Sequence, residues 1–257
     1  MGKIIAFSNQ KGGVGKTTTC VNMSACLASV GKKTLLLDLD PQGNATSSLG
    51  VEKTDELKSI YNVIVGDSNI EDIVKRTKYA NLDIIPADIN LAGAEIELVQ
   101  MPNREKILKN ALDKIKSSYD YIAIDCPPSL GLLTVNALTS ADSIIIPMLC
   151  EFLSLEALTQ LMNTVWLVKQ HLNNKLEIEG VVMTMKSARS NLANQVTDEI
   201  KKFFDKKVFT TSIPRNIRVA EAPSFGESVI EYDPRCKGAQ AYMELTAEFL
   251  KRNKEKV

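Results

Sequence analysis

Three features of the 257-residue sequence predict an α/β fold, a twisted, mainly parallel β-sheet flanked by helices on both faces. Short, nearly continuous apolar runs recur along the chain, and runs without polar alternation suit strands covered on both sides. Longer stretches of helical periodicity separate them, as strand–helix–strand crossovers require. No Gly/Ser/Pro-rich linker, repeat or low-complexity stretch intervenes, so residues 1–257 are expected to form one domain.

In order, Lys3–Ser8 reads as a strand and Lys16–Val30 as a helix with Val21, Leu27, Ala28 and Val30 turned inward. Thr34–Asp38 is a second strand. Residues 43–78 are more polar and irregular, an expected surface excursion with short helices. Leu82–Pro86 and Tyr121–Asp125 are strands flanking a helical stretch at Arg104–Lys116. Strand Ser143–Pro147 precedes a helix at Leu153–His171, where Leu158, Leu161, Val165, Trp166 and Leu172 are expected on one buried face. Strand Ile178–Thr184 is followed by helices at Asn191–Phe204 and Ala239–Arg252. In the last, Tyr242, Leu245, Phe249 and Leu250 make a narrow apolar stripe suited to core docking.

Composition excludes several functions. The 31 Lys and Arg balance 31 Asp and Glu, which rules out a histone-like polycation and an acidic disordered tail. The longest apolar runs, such as Ser143–Leu149, fall far short of the roughly 18–20 residues that span a bilayer. No secretory cleavage pattern follows Met1, and Cys20, Cys26, Cys126, Cys150 and Cys236 contain no C-x-x-C pair. They read as reduced thiols of a cytoplasmic protein, with Cys20 and Cys26 as small core residues. His171 has no ligand set nearby, so zinc, iron–sulfur and Ser-His-Asp chemistry are not expected. The neutral total hides an asymmetry: residues 180–257 hold 14 basic against 10 acidic residues, a net +4 that leaves −4 in residues 1–179. Such a basic portion can serve a polyanion, although solvated helix faces would give the same counts.

Directly after the first strand stands Gln10-Lys11-Gly12-Gly13-Val14-Gly15-Lys16-Thr17-Thr18. It departs from the usual G-x-x-x-x-G-K-[ST] phosphate loop because Gln10 stands five before Gly15. Its physical content survives. Glycines let successive N–H groups face a phosphate, and the helix beginning near Lys16 adds its positive end. Lys16 can reach the β- and γ-phosphates, and the Thr17 hydroxyl can ligate Mg²⁺. Asp38 and Asp40 end a strand at i and i+2, and Asp125 ends another, where α/β sheets open onto a ligand crevice. Asp40-Pro41-Gln42-Gly43 also reads as a simple turn, and Asp125 as a cap before Pro127-Pro128.

These motifs resemble the ParA/Soj family of chromosome- and plasmid-partitioning ATPases, within the deviant Walker A class of P-loop NTPases. The carrying stretches are Lys11 to Thr18, Asp38-Leu39-Asp40-Pro41-Gln42-Gly43-Asn44-Ala45-Thr46 and Asp125-Cys126-Pro127-Pro128-Ser129. Ile213-Pro214-Arg215-Asn216, Glu221-Ala222-Pro223-Ser224 and Tyr232-Asp233-Pro234-Arg235 extend the resemblance over essentially the whole chain.

The resemblance implies ATP or ADP with Mg²⁺ as ligands, and slow ATP hydrolysis. It makes Lys11 the signature lysine that reaches a partner's nucleotide across an ATP-dependent homodimer. Asp40 would position the attacking water, Thr17, Asp38 and Asp125 would form the Mg²⁺ side, and Pro214 and Asn216 would lie against adenine. A strand-to-helix turn remains the other reading of that last pair. The resemblance also implies nonspecific binding to double-stranded DNA of the nucleoid, and stimulation by a ParB-like centromere-binding protein. Arg189 and Arg218 are the first candidates for phosphate contact, with Lys186, Lys201, Lys202 and Arg235 behind them. A MinD-like membrane-cycling ATPase is the alternative. It would need a C-terminal amphipathic membrane helix, and the tail Lys251 to Val257 is too polar to insert.

Overall fold

The structure, a computed structural model, describes residues 2–151, 154–187 and 191–255. Its strands are β1 (Lys3–Phe7), β2 (Thr34–Asp38), β3 (Lys75–Arg76), β4 (Leu82–Ile85), β5 (Tyr121–Asp125), β6 (Ser143–Leu149) and β7 (Glu177–Thr184). They form one seven-stranded sheet in the order β3-β4-β2-β5-β1-β6-β7. Every pairing is parallel except β3 with β4.

Continuous apolar strands are what this sheet requires, because each strand serves two cores at once. Ile4, Ala6, Leu35, Leu37, Ile122, Ile124, Ile144 and Ile146 pack on one face. Their chain neighbours Ile5, Phe7, Leu36, Ala123 and Ile145 pack on the other. Side chains alternate along a strand, so an unbroken apolar run covers both faces. The first face is closed by helices Leu91–Leu98, Ile107–Ile115, Leu132–Ser140, Ser154–His171 and Asn191–Phe204. The second is closed by helices Lys16–Ser29 and Lys237–Arg252, which pack on each other and on the 217–232 segment. Tyr242, Leu245, Phe249 and Leu250 are all buried there, as their spacing predicts. Cys20 and Cys26 lie in the same core, and burial pushes both thiols up, Cys26 to about 12.

Four expectations change. Val30, expected inward, lies past the end of helix Lys16–Ser29 as its C-cap and is exposed. Trp166 is not on the buried face of its helix: Leu158, Leu161 and Val165 are buried, but Trp166 is 57% exposed. It follows Val165 by one residue, and the stripe that docks on the sheet is narrower than the apolar run. Trp166 instead lines a 590 Å³ surface groove with Met162, Phe203 and Lys207. Residues 43–78 do carry short helices, Asn44–Ser48 and Ile60–Ile64, yet Ile60, Ile64, Ile70 and Ile73 are buried in the first core. The excursion is therefore packed into the molecule. It also supplies β3, a two-residue antiparallel edge strand too short to leave a period-2 pattern. Helix Leu91–Leu98 was not foreseen; its buried Leu91, Ala94 and Leu98 alternate with exposed Ile96 and small residues that blur the stripe.

Candidate nucleotide site

β1 lies between β5 and β6, and its connection runs to helix Lys16–Ser29 on one face. The connection from β5 runs to helix Leu132–Ser140 on the other face. Where two such connections part, the carboxyl ends of the strands open a crevice. The loop from Gln10 to Gly15 stands in it.

Gly13 and Gly15 have φ of 72° and 81°, left-handed values that side chains with a Cβ rarely adopt. Gly15 is the N-cap of helix Lys16–Ser29 and supplies no side-chain cap, which leaves the first-turn N–H groups to a ligand. Two braces outside the loop hold it. The Thr184 hydroxyl shares its proton between the carbonyls of Val14 (2.7 Å) and Met148 (3.1 Å). The Lys11 N–H donates to Asn9 Oδ1 (3.0 Å), and Asn9 Nδ2 donates to the Pro147 carbonyl (2.8 Å). Gly12 and Gly13 are exposed at the mouth, Val14 is buried beneath, and Thr17 and Thr18 are half-buried. Lys16 is buried and donates to the Lys11 carbonyl at 3.3 Å. Burial lowers its pKa, against the charges of Asp125 and Asp40 that favour the ammonium. The Lys11 ammonium pairs with Glu151 of its own chain at 2.6 Å.

Asp38 and Asp125 are opposite one another in the β2–β5 register, and both are fully buried. Neither oxygen of Asp125 has a hydrogen-bond partner among the described residues. Burial, with the charge of Asp38 behind it, pushes its pKa up, and the neighbouring Thr17 hydroxyl and Lys16 ammonium pull the other way. A buried carboxylate left without a partner is costly, and one beside a threonine hydroxyl and a lysine suits a Mg²⁺–phosphate group. Asp38 is pushed up to about 6, mainly by burial. Its Oδ2 accepts from the Thr46 N–H (2.8 Å) and hydroxyl (2.7 Å), and its Oδ1 from the Asp40 N–H (3.2 Å). Asp40 Oδ1 accepts from the Gln42 N–H (3.0 Å), and the Asp40 carbonyl from the Gly43 N–H (2.8 Å). The turn reading of Asp40-Pro41-Gln42-Gly43 thus holds. Gly43, at φ 59°, leaves no room for a Cβ, which would stand 2.8 Å from the Ala87 carbonyl oxygen.

A 220 Å³ cavity continues from Gly15 and Thr18 to Pro214, Asn216, Val219 and Tyr242, so the structure brings the 214–216 segment to the loop. Asn216 also caps helix Ile217–Glu221, its Oδ1 accepting from the Arg218 N–H at 2.8 Å. The basic candidates divide. Arg218 pairs with Glu221 (2.9 Å) and Asp233 (3.5 Å), and Arg235 is joined to the same Asp233 through its N–H. Lys186 follows β7, its N–H bonded to the Ile213 carbonyl beside this group. Lys201 and Lys202 sit on helix Asn191–Phe204, on the opposite face of the sheet, where Lys202 pairs with Glu199. Arg189 lies outside the described residues. Sequence reasoning missed Asn9, Thr184 and Glu151 altogether: a polar residue at a strand end carries no signal of the loop it will brace. Thr46 stood within a quoted motif, but nothing in the motif showed its contact with Asp38.

The chain is similar to known proteins over most of its length. A family profile described as an AAA domain matches residues 2–178. The sporulation initiation inhibitor protein Soj of Bacillus subtilis is 60% identical, over 96% of this chain and 98% of that protein. The chromosome partitioning protein ParA of Myxococcus xanthus is 49% identical, over 100% of this chain and 90% of that protein. Among solved structures, cobyrinic acid a,c-diamide synthase of Mycobacterium smegmatis, with bound ATP analog and magnesium, matches with TM-score 0.87 and 36% identity. That match covers 99% of this chain and 96% of the other. The cell division ATPase MinD of Pyrococcus furiosus matches with TM-score 0.80 and 27% identity, over 98% of this chain and 100% of that one. The glycine loop, the paired strand-end aspartates and full-length similarity to Soj and ParA lead to one conclusion: the chain belongs to the Soj/ParA family of chromosome-partitioning proteins.

Proposed function

We propose that the protein is a Mg²⁺-dependent ATPase of chromosome or plasmid partitioning, which forms a homodimer on ATP, holds DNA without sequence preference and releases it after hydrolysis. The carrying observation is the orphaned Asp125 carboxylate, set opposite Asp38 beside Thr17 and Lys16 at the mouth of the glycine loop.

Loop N–H groups from Gly12 to Thr17 cradle the phosphates of ATP, and the Lys16 ammonium lies against the β–γ bridge. Thr17 and Asp125, with Asp38 behind, would hold Mg²⁺, which would supply positive charge against the phosphates. Asp40 orients the attacking water, since its second carboxylate oxygen is not used by the Gln42 turn bond. Pro214 and Asn216 line the adenine end. Lys11 leaves Glu151 to reach the partner's nucleotide. With Lys16 the only loop cation inside the site, intrinsic turnover is slow, and a ParB-like centromere-binding protein accelerates it. Arg218, Lys186 and Arg235 offer one basic surface beside the nucleotide, with Arg189 close in sequence to Lys186, while Lys201 and Lys202 belong to another face. The protein works in the cytoplasm on the nucleoid.

The MinD-like alternative needs a free apolar face on the last helix. Tyr242, Leu245, Phe249 and Leu250 are spent in the core, and among the described residues no helix is long and apolar enough to cross a membrane. The buried stripe favours DNA over a lipid surface. Co-sedimentation with DNA and with anionic vesicles, each with and without ATP, tests the choice; ATP-dependent capture by vesicles alone would reverse it. Asp40→Ala should still dimerise on ATP while hydrolysis falls by a factor of about 100 or more, and wild-type turnover in that variant would remove Asp40 from its role.

A further inference from the structure

Asp38 and Asp125 invite the same assignment. They end adjacent parallel strands in register and are equally buried. Their surroundings differ. Asp125 faces Lys16 and the Thr17 hydroxyl, which favours its ionised form, and among the described residues no donor reaches either of its oxygens at full hydrogen-bond geometry. Asp38 faces the other way in chemical terms: its partners are the Thr46 N–H and hydroxyl and the Asp40 N–H, all from the segment following its own strand. Thr46 is bound again from behind, its Oγ1 accepting from the Ala87 N–H at 3.0 Å, just past β4. The hydroxyl thus ties the end of β4 to Asp38, and Asp38 ties both ends of the turn that carries Asp40.

We propose that Asp38 and Thr46 form a clasp that sets the position of Asp40, and that of the two strand-end carboxylates only Asp125 serves the metal. Thr46 is a positioning residue acting through Asp38. Its hydroxyl is the one side-chain donor in the clasp, and threonine is suited to it because one oxygen must donate to a carboxylate and accept from a backbone N–H at once. A carboxylate with three donors arranged around it is fixed in direction, whereas one that no backbone N–H holds and that has only the Thr17 hydroxyl beside it can turn toward a cation. Asp40, held between the Asp38 bond at its N–H and the Gly43 bond at its carbonyl, inherits its position from the clasp. The catalytic half of this proposal rests on the reading of the site as a Mg²⁺–ATP site; the clasp itself does not.

The test uses the full-length protein and three variants. Thr46→Val keeps the shape and removes the hydroxyl, Thr46→Ser restores it, and Asp125→Asn removes the orphaned charge. Without nucleotide, amide hydrogen exchange at residues 40–46 and Ala87 should quicken about tenfold in Thr46→Val and return to the wild-type rate in Thr46→Ser. With ATP, Thr46→Val should hydrolyse about tenfold more slowly, and the Mg²⁺ concentration that half-saturates binding of a fluorescent ATP analogue should stay within about twofold. Asp125→Asn should raise that Mg²⁺ concentration by about 10–100-fold. Equal Mg²⁺ shifts in Thr46→Val and Asp125→Asn would make Asp38 a metal-side group and overturn the division. Unchanged exchange in Thr46→Val would overturn the clasp, and this reading stands apart from whether the protein hydrolyses ATP.

Discussion

The two ends of the sheet handle charge in opposite ways. At the amino ends of the strands Lys3, Lys32 and Lys116 each have an acidic partner. Lys3 pairs with Glu179 and donates to Asn253 Oδ1, while Asn253 Nδ2 donates to Glu179 at 2.8 Å. Lys32 and the Tyr121 hydroxyl share Glu255, and Lys116 pairs with Asp142 at 2.8 Å. At the carboxyl ends, Asp38 and Asp125 crowd together, the Asp125 oxygens lack a well-formed hydrogen bond among the described residues, and Lys16 is buried nearby. The same strands thus carry a closed network at one end and an unbalanced one at the other. The first ties the C-terminal residues 253 and 255 to β1, β5 and β7. The second holds back hydrogen-bonding capacity that a Mg²⁺–nucleotide would take up.

The largest break in this contrast is at Lys16. Lys16→Ala should weaken ATP binding at least about 100-fold, some 3 kcal/mol, measured by titration of a fluorescent analogue. Retained tight binding would detach the loop from the phosphates.

Next comes pH. Burial pushes the Asp38 carboxyl up from its ordinary 3.8 to about 6. A raised carboxyl destabilises the fold once it ionises, so the nucleotide-free protein should gain stability as pH falls from about 7 towards 4, by roughly 2 kcal/mol. Asp125 is shifted in the same direction. Glu179 behaves oppositely: burial raises it, but the Lys3 hydrogen bond and charge prevail and lower it. Its contribution is present above the ordinary Glu pKa and is lost as pH falls below about 4. Chemical denaturation across pH should therefore show a maximum on the acid side of neutrality, which Mg²⁺ and ATP move upward. A flat profile from pH 7 to 5 would mean that the two aspartates are not strained.

The smallest effect is at the opposite end. Lys3→Ala should cost about 1–2 kcal/mol of stability, because Glu179 is left largely buried beside Asn253. ATP affinity should stay within about twofold, and a larger change would show that the two ends are coupled.

Much of this was legible in order. Asp38, Asp40 and Asp125 could be placed at strand ends because unbroken apolar runs give strand length and direction, and Gly13, Gly15 and Lys16 because a phosphate loop is local in sequence. Trp166 was misplaced because the periodicity of an apolar helix does not say how wide its buried face is. The 43–78 segment hid its buried isoleucines among polar neighbours. Thr184 and Asn9 gave no signal, since each braces a loop far off in sequence.

By itself the sequence determined what depends on neighbours along the chain: alternation of strand and helix, the glycine loop, the acids at strand ends and membership in a partitioning family. Tertiary structure decided what depends on register and packing. β2 and β5 come to lie side by side only when the sheet forms, and only then do Asp38 and Asp125 stand opposite each other. Thr46 reaches one of them because helix Asn44–Ser48 folds back over the strand end, and leaves the other open. Identical residue types thus acquire different surroundings, because hydrogen-bond donors are distributed in space and not along the chain.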